Sequence, residues 1–273
     1  MQASRLWDML LEPQGLTTVF QPIFEARGGE RRVYALEALT RGPKRTNIER
    51  SDVLFEYVRR KRGEAEIDLL AIASALRQAS GLPEVPDLSL NVHAVTLERE
   101  RRLSVWLTEL SAEHSVPLDS LIIEIVEHAP PWSGPHFLDN LDRLRALGVR
   151  IALDDVGLGQ SNFRMIVDCR PDLLKIDRHF VDGCHADPLR RAVLESISDL
   201  ASRLGARAVA EGIEDERDLA VVSNAGISLL QGYLLCRPCT TKNLKKMDFM
   251  TSPGRLKEPD TEDFAQELHH LAT

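Results

Sequence analysis
Glu37, Asn91, Glu124, Asp154, Asp155, Lys175, Asp177, Glu211 and Gln231 share a position: each lies toward the C-terminal end of a short apolar run. The runs read ALEAL (35–39), LSLNV (88–92), LIIEIVE (121–127), RIALDD (150–155), DLLKID (172–177), RAVAEG (207–212) and LLQGY (229–233). A carboxylate at the end of a buried strand costs several kcal/mol of desolvation unless something pairs with it. Glu37, Asn91, Glu124 and Asp154 offer hard oxygen ligands, which suit Mg²⁺ or Mn²⁺ better than zinc. The adjacent Asp154 and Asp155 allow one carboxylate to bridge two metals and the other to serve the second. Such a pair of ions, typically about 3.5–4 Å apart, activates water for in-line attack on a phosphodiester. Lys175 would orient that water or neutralise developing phosphate charge. Glu211 would ligate the second metal or act as general base, and Gln231 would hold a water or ligand by hydrogen bonding.

A polar residue at the end of strand after strand describes a barrel with its active site at the C-terminal face. Residues 19–24 and 33–39 read as the first two strands. The connection between them holds Gly28-Gly29 and is too short for a helical crossover, so the pair must be antiparallel. Thereafter strands alternate with helical stripes: Ile67, Leu70 and Leu76; Phe137, Leu141, Leu144 and Leu147; Val193, Leu194, Ile197, Leu200 and Leu204; Leu219 and Val222. Alternation of this kind predicts a largely parallel sheet, and about eight strands predict closure. The expected fold is α/β, a modified (β/α)8 TIM barrel with an antiparallel first strand. The barrel domain is placed at 1–240. APPWSGP (129–135) breaks the chain after the fourth strand. Residues 241–273 mix charge, Pro and Gly and are read as a C-terminal appendage ending in a short helix.

The 273 residues are 43% hydrophobic and 28% charged, enough for one large core. A net charge of −8 argues against wrapping a DNA or RNA polymer. It leaves room for a small phosphate ligand, because a metal cluster supplies positive charge locally. No apolar stretch approaches the roughly 20 residues needed to span a membrane. The first residues lack a signal-peptide core, and the expected location is the cytoplasm. Four cysteines fit a reducing compartment. Cys236 and Cys239 form a CxxC with no second CxxC or neighbouring His pair, and read as two ordinary thiols after a strand.

Taken in order, FQPIF (20–24), EALTR (37–41), LNV (90–92), EIVE (124–127), DDVG (154–157), KID (175–177), AEGIE (210–214) and QGYLL (231–235) resemble the EAL-domain family of cyclic di-GMP phosphodiesterases. The resemblance runs from about Val19 to Pro238. It implies that Glu37, Asn91, Glu124 and Asp154 hold one metal and that Asp154 and Asp155 serve a second. It implies that Lys175 and Glu211 assist the hydrolytic water while Gln231 supports the site. Gln21, Leu39, Arg41, Asp177 and Pro238 would line the dinucleotide pocket, with Arg41 on a phosphate. Glu127 would brace the loop after the fifth strand. The implied reaction opens cyclic di-GMP to linear pGpG, and the implied assembly is a homodimer.

The chain departs from the family pattern at Gly42, His93 and Val126, and most of all in DDVGLGQSNF (154–163). Leu158 stands where the family has a hydroxyl partner for the brace. An ångström of misplacement costs about 100-fold in rate, so a second expectation is a module that binds cyclic di-GMP and acts through protein partners with little turnover. His93 reads as a hydrogen-bonded structural residue. Any regulatory input would reach the barrel through a partner, the tail or the loop.

Overall fold
The computed structural model describes residues 2–12, 14–82, 86–126, 134–158 and 163–246. The elements run α1 (Gln2–Leu11), β1 (Thr17–Arg27), β2 (Glu30–Arg41), α2 (Ser51–Lys61), α3 (Glu64–Ala79), β3 (Asp87–His93), α4 (Ala94–Arg99) and α5 (Leu103–His114). They continue as β4 (Leu121–Val126), α6 (Pro135–Ala146), β5 (Arg150–Val156), α7 (Phe163–Cys169), β6 (Leu173–Ile176), α8 (Arg178–Val181) and α9 (Pro188–Leu204). β7 (Arg207–Ala210), α10 (Glu216–Asn224), β8 (Leu229–Leu230) and α11 (Thr241–Leu244) complete the described chain.

The strands close into one barrel in sequence order. β1 is antiparallel to both β2 and β8, and every other neighbouring pair is parallel. The expected barrel with a reversed first strand is what forms. Gly28 and Gly29 have φ of +62° and +86° and are all that separate Arg27 from Glu30 in register. Positive φ at both positions is what a tight, right-twisted hairpin turn needs. The hairpin is longer than the apolar runs suggest, because Arg27 and Glu30–Arg32 extend it by an exposed polar tip.

Two apolar layers hold the barrel. The larger fills the space between strands and surrounding helices and includes Phe20, Leu36, Leu90, Ile123, Leu153, Leu174 and Leu194. The smaller lies inside the barrel: Ile23, Ala35, Ile122, Ala152, Leu173, Val209 and Leu229, one from every strand except β3. Tyr34 packs beneath it. There the Arg207 and Arg150 guanidiniums lie 4.9 and 5.6 Å from its ring, and Arg150 donates to its hydroxyl at 2.8 Å. A third cluster, including Leu10, Leu16, Ile48, Leu54, Val58 and Ile67, seats α1 against α2 and α3. Leu244 of α11 is fully buried in the main core. The short helix expected toward the end of the 241–273 appendage lies outside the described residues.

Candidate active site
Side chains of a strand alternate between faces. Stepping two residues toward the C-terminal end from the inner apolar layer therefore reaches the next interior layer. From Ala35, Ile122, Ala152, Leu173, Val209 and Leu229 that step gives Glu37, Glu124, Asp154, Lys175, Glu211 and Gln231. On the reversed β1 the step runs backward from Ile23 to Gln21. The alternation that packs the barrel floor also lays a polar layer directly above it.

Lys175 sits at the centre of that layer, 2% exposed. Its ammonium pairs with Glu124 and lies 2.5 Å from Glu211 Oε1 and 3.5 Å from both Glu37 Oε2 and Asp154 Oδ1. Asn91 Nδ2 donates to Glu37 Oε1 at 3.1 Å, and Gln231 Nε2 donates to Glu37 Oε2 at 2.6 Å. Asn91 and Glu124 are register partners across β3 and β4. Ser89 Oγ donates to Glu124 Oε2 at 2.8 Å. The sequence reading missed Ser89, although its place two residues before Asn91 on the same strand puts it on the same face.

Four carboxylates around one ammonium leave an uncompensated negative charge. Burial pushes the Glu124 carboxyl up to about 8; Lys175 opposes this, while Glu37 and Asp154 add to it. Burial also acts on Glu37, but Lys175 and the donors Gln231 and Asn91 hold that carboxyl below its ordinary value. Burial and the neighbouring acids raise Glu211 well above the carboxylate range against the pull of Lys175. Burial works against the Lys175 ammonium, yet Asp154, Glu124, Glu211 and Glu37 together raise it.

Asp154 and Asp155 occupy an irregular stretch of β5. The register with β6 shifts between Leu153 and Val156, and Asp155 has φ +51°. A left-handed residue in a strand end is strained for anything but Gly, Asn or Asp. Burial raises Asp155 to about 7, helped by the charges of Asp154 and Asp177 and a hydrogen bond with Asp177. Asp177 also caps α8, accepting from His179 N at 2.6 Å.

This donor set suits divalent cations. Glu37, Glu124 and Glu211 each present an oxygen within 4.8 Å of the others. Gln231 Oε1 is buried with no hydrogen-bond partner. Hard oxygen donors with excess negative charge are the chemistry that Mg²⁺ and Mn²⁺ bind.

The sequence matches the EAL domain over residues 4–238. The chain belongs to the EAL-domain family. It is 33% identical over 162 residues to the cyclic di-GMP phosphodiesterase RocR of Pseudomonas aeruginosa, covering 59% of this chain and 41% of RocR. It superposes on BlrP1 of Klebsiella pneumoniae, in complex with manganese and cyclic di-GMP, with TM-score 0.74 and 27% identity. That match covers 85% of this chain and 58% of BlrP1. A standalone EAL protein from Vibrio cholerae O395 bound to cyclic di-GMP matches with TM-score 0.70 and 25% identity, over 83% of this chain and 93% of that one. The chain thus spans less than two thirds of RocR and of BlrP1.

In this EAL domain the other expected site residues lie on β1, at the end of β2 and after β8. Gln21, buried on β1 beside Glu37 in register, donates to the Cys236 carbonyl at 3.0 Å. Half-buried Arg41 ends β2 and donates to Thr40 O at 3.1 Å and Ser51 Oγ at 3.4 Å. Burial lowers its guanidinium against the pull of Tyr233, Glu37 and Asp52. Leu39 and Pro238 are half-buried, Leu39 in register with Val19. Gly42 has a local reason: a Cβ there would meet Ile48 O at 2.0 Å, so nothing larger fits without a shift of the backbone. Glu127, the expected brace, and residues 159–162 of the altered loop lie outside the described residues. No described helix is long and apolar enough to cross a membrane.

Proposed function
We propose that this EAL domain is a metal-dependent phosphodiesterase that hydrolyses cyclic di-GMP to linear pGpG. The observation that carries the reading is the interior polar layer: Glu37, Glu124, Asp154 and Glu211 converging on Lys175, with Asn91 and Gln231 fixing Glu37. Glu37, Asn91, Glu124 and Asp154 would hold one Mg²⁺ or Mn²⁺, and Asp154 with Asp155 a second. When bound, the ions supply Lewis acidity and a water acidic enough to attack phosphorus. Gln231 and Asn91 lock the Glu37 carboxylate in one orientation. Lys175 holds Glu124 and Glu211 in place and offers positive charge to the developing phosphorane. Glu211, held against the Lys175 ammonium just past the end of β7, would take a proton from the incoming water once bound cations offset the neighbouring acids. Arg41 would grip a phosphate, while Gln21, Leu39, Asp177 and Pro238 would line the nucleotide cleft.

Single-turnover hydrolysis of cyclic di-GMP tests this with Mg²⁺, Mn²⁺, Ca²⁺ or chelator. The expected result is pGpG with Mg²⁺ or Mn²⁺ only, lost in Glu37→Ala. Parental turnover in that variant, or product in chelator, overturns the reading. The departure at Leu158, which is exposed two residues beyond β5, favours a second reading, a cyclic di-GMP receptor acting through protein partners. Thermal stabilisation by cyclic di-GMP without product would establish it, since a bound ligand stabilises without turnover.

Family likeness supports a homodimer, and Phe163 and Val167 on α7 are 76% and 66% exposed, one turn apart. A sedimentation mass of 30.6 kDa at micromolar concentration would overturn the dimer. The free, unbridged cysteines support a reducing, cytoplasmic setting.

A further inference from the structure
The inner apolar layer takes a residue from every strand except β3. Stepping back two residues from Asn91, as the alternation of a strand allows, reaches Ser89. Ser89 is 1% exposed and stands in register with Ile122 on β4 and with Glu37 on β2. A hydroxyl in an otherwise apolar layer costs free energy unless it is bonded. Packing alone would accept Ala there, since Ala35 and Ala152 belong to the same layer.

The bond that Ser89 makes runs into the polar layer. Its Oγ donates to Glu124 Oε2 at 2.8 Å, while Lys175 pairs with Glu124 Oε1. Glu124 is fully buried, so solvent does not compete for either oxygen. One strand therefore serves two acids. Ser89 holds Glu124, and Asn91, two residues on, donates to Glu37 Oε1 at 3.1 Å. Other buried hydroxyls tie down different parts of the fold. Thr18 donates to Ser74 Oγ at 3.1 Å, Ser111 to the Val116 carbonyl and Thr96 to Asp68.

We propose that Ser89 is a positioning residue for the divalent cation: its hydroxyl sets the orientation in which Glu124 meets the ion. The terminal torsion of a glutamate is broad, so an unheld carboxylate turns freely. Ser89 fixes Oε2 from the floor side and leaves Oε1 toward Lys175, the point where Glu37, Asp154 and Glu211 also converge. Ser89 acts on the ion only through Glu124. Removing a group that orients a metal ligand typically costs about 10–100-fold in affinity. The inference rests on Glu124 being a metal ligand, as in the proposed function, and not on hydrolysis.

Mn²⁺ binding to the full chain, without nucleotide, is followed by the electron paramagnetic resonance signal of the free ion. Ser89→Ala should bind the same number of ions with a dissociation constant raised about 10-fold or more. Ser89→Thr keeps the hydroxyl and should restore most of the loss. Circular dichroism in chelator shows that both variants fold. In Glu124→Ala, which removes the group that Ser89 holds, adding Ser89→Ala should change nothing further. Parental affinity in Ser89→Ala overturns the proposal. So does an equal loss in Ser89→Thr, or a further loss on top of Glu124→Ala. A parent chain that takes up no Mn²⁺ overturns the metal site of the proposed function as well; a parent that binds, beside an indifferent Ser89→Ala, overturns the role of Ser89 alone.

Discussion
Glu124 is the residue on which the charge balance of the site turns. It is fully buried, Lys175 and Ser89 are bonded to it, and its carboxyl still rises from 4.5 to about 8. Asp155 rises from 3.8 to about 7. A carboxyl raised in the folded state binds a proton that the unfolded chain has released. Its contribution is fully present below the unfolded value and is lost as pH climbs through the folded one. The metal-free chain should therefore lose stability between about pH 4.5 and about pH 8 on account of Glu124. Glu124→Gln, which cannot titrate, should flatten that slope. Metal binding must displace the same protons, so Mg²⁺ or Mn²⁺ should stabilise the chain more toward pH 8 than toward pH 6. Thermal melts in chelator and in metal across this range are the check. Parallel slopes for parent and variant, with metal stabilisation indifferent to pH, would show that Glu124 is not the titrating ligand.

The helix α4 starts from β3, two residues beyond Asn91, yet its N-cap residue His93 makes no capping bond of its own. The cap comes from another element. Asp68 of α3, 1% exposed, accepts His93 N at 2.8 Å, His93 Nδ1 at 2.9 Å and Thr96 Oγ1 at 2.5 Å. Burial pulls the imidazole down, but Asp68 overcomes it and raises His93 above its ordinary value. Asp68→Ala strands three buried donors and should cost about 3–5 kcal/mol. Urea unfolding would read this as a lower midpoint at unchanged slope. A loss under about 1 kcal/mol would put the pair among exposed ion pairs of little worth. This contact also marks where sequence reading stops. Acids ending apolar runs, and the Gly28-Gly29 turn, are visible because their signals are local. The Asp68 cap joins residues 25 apart, and Ser89 carries no charge to draw notice. Such partners are chosen by packing, which no periodicity records.

At the scale of the whole molecule, closing eight strands into a ring removes every sheet edge, but the joint is uneven. β8 contributes two residues and meets β1 and β7 through two register pairs each. A six-residue register, by comparison, joins β3 to β4. The seam is reinforced from outside the strand: Ala26 N donates to Ser228 O at 2.9 Å, and Cys239 and Phe20 bond reciprocally. Beneath it, Arg207 of β7 reaches across to Glu25 of β1 at 2.6 Å and to Ser228 Oγ at 3.1 Å. Glu25 is buried and the arginine is part-exposed, so this strap should contribute about 1.5–3 kcal/mol, the range for hydrogen bonds to charged groups. Local openings draw on the least-supported contacts, so β8 amides should exchange before those of β3 and β4. Glu25→Ala should widen that gap by cutting the strap while leaving the inner apolar layer intact. Because Gln231 continues directly from β8 and holds Glu37, a looser seam should also weaken metal-dependent stabilisation. Hydrogen exchange read peptide by peptide decides it: β8 protection equal to β4, and unchanged in Glu25→Ala, would mean that the inner apolar layer closes the barrel alone.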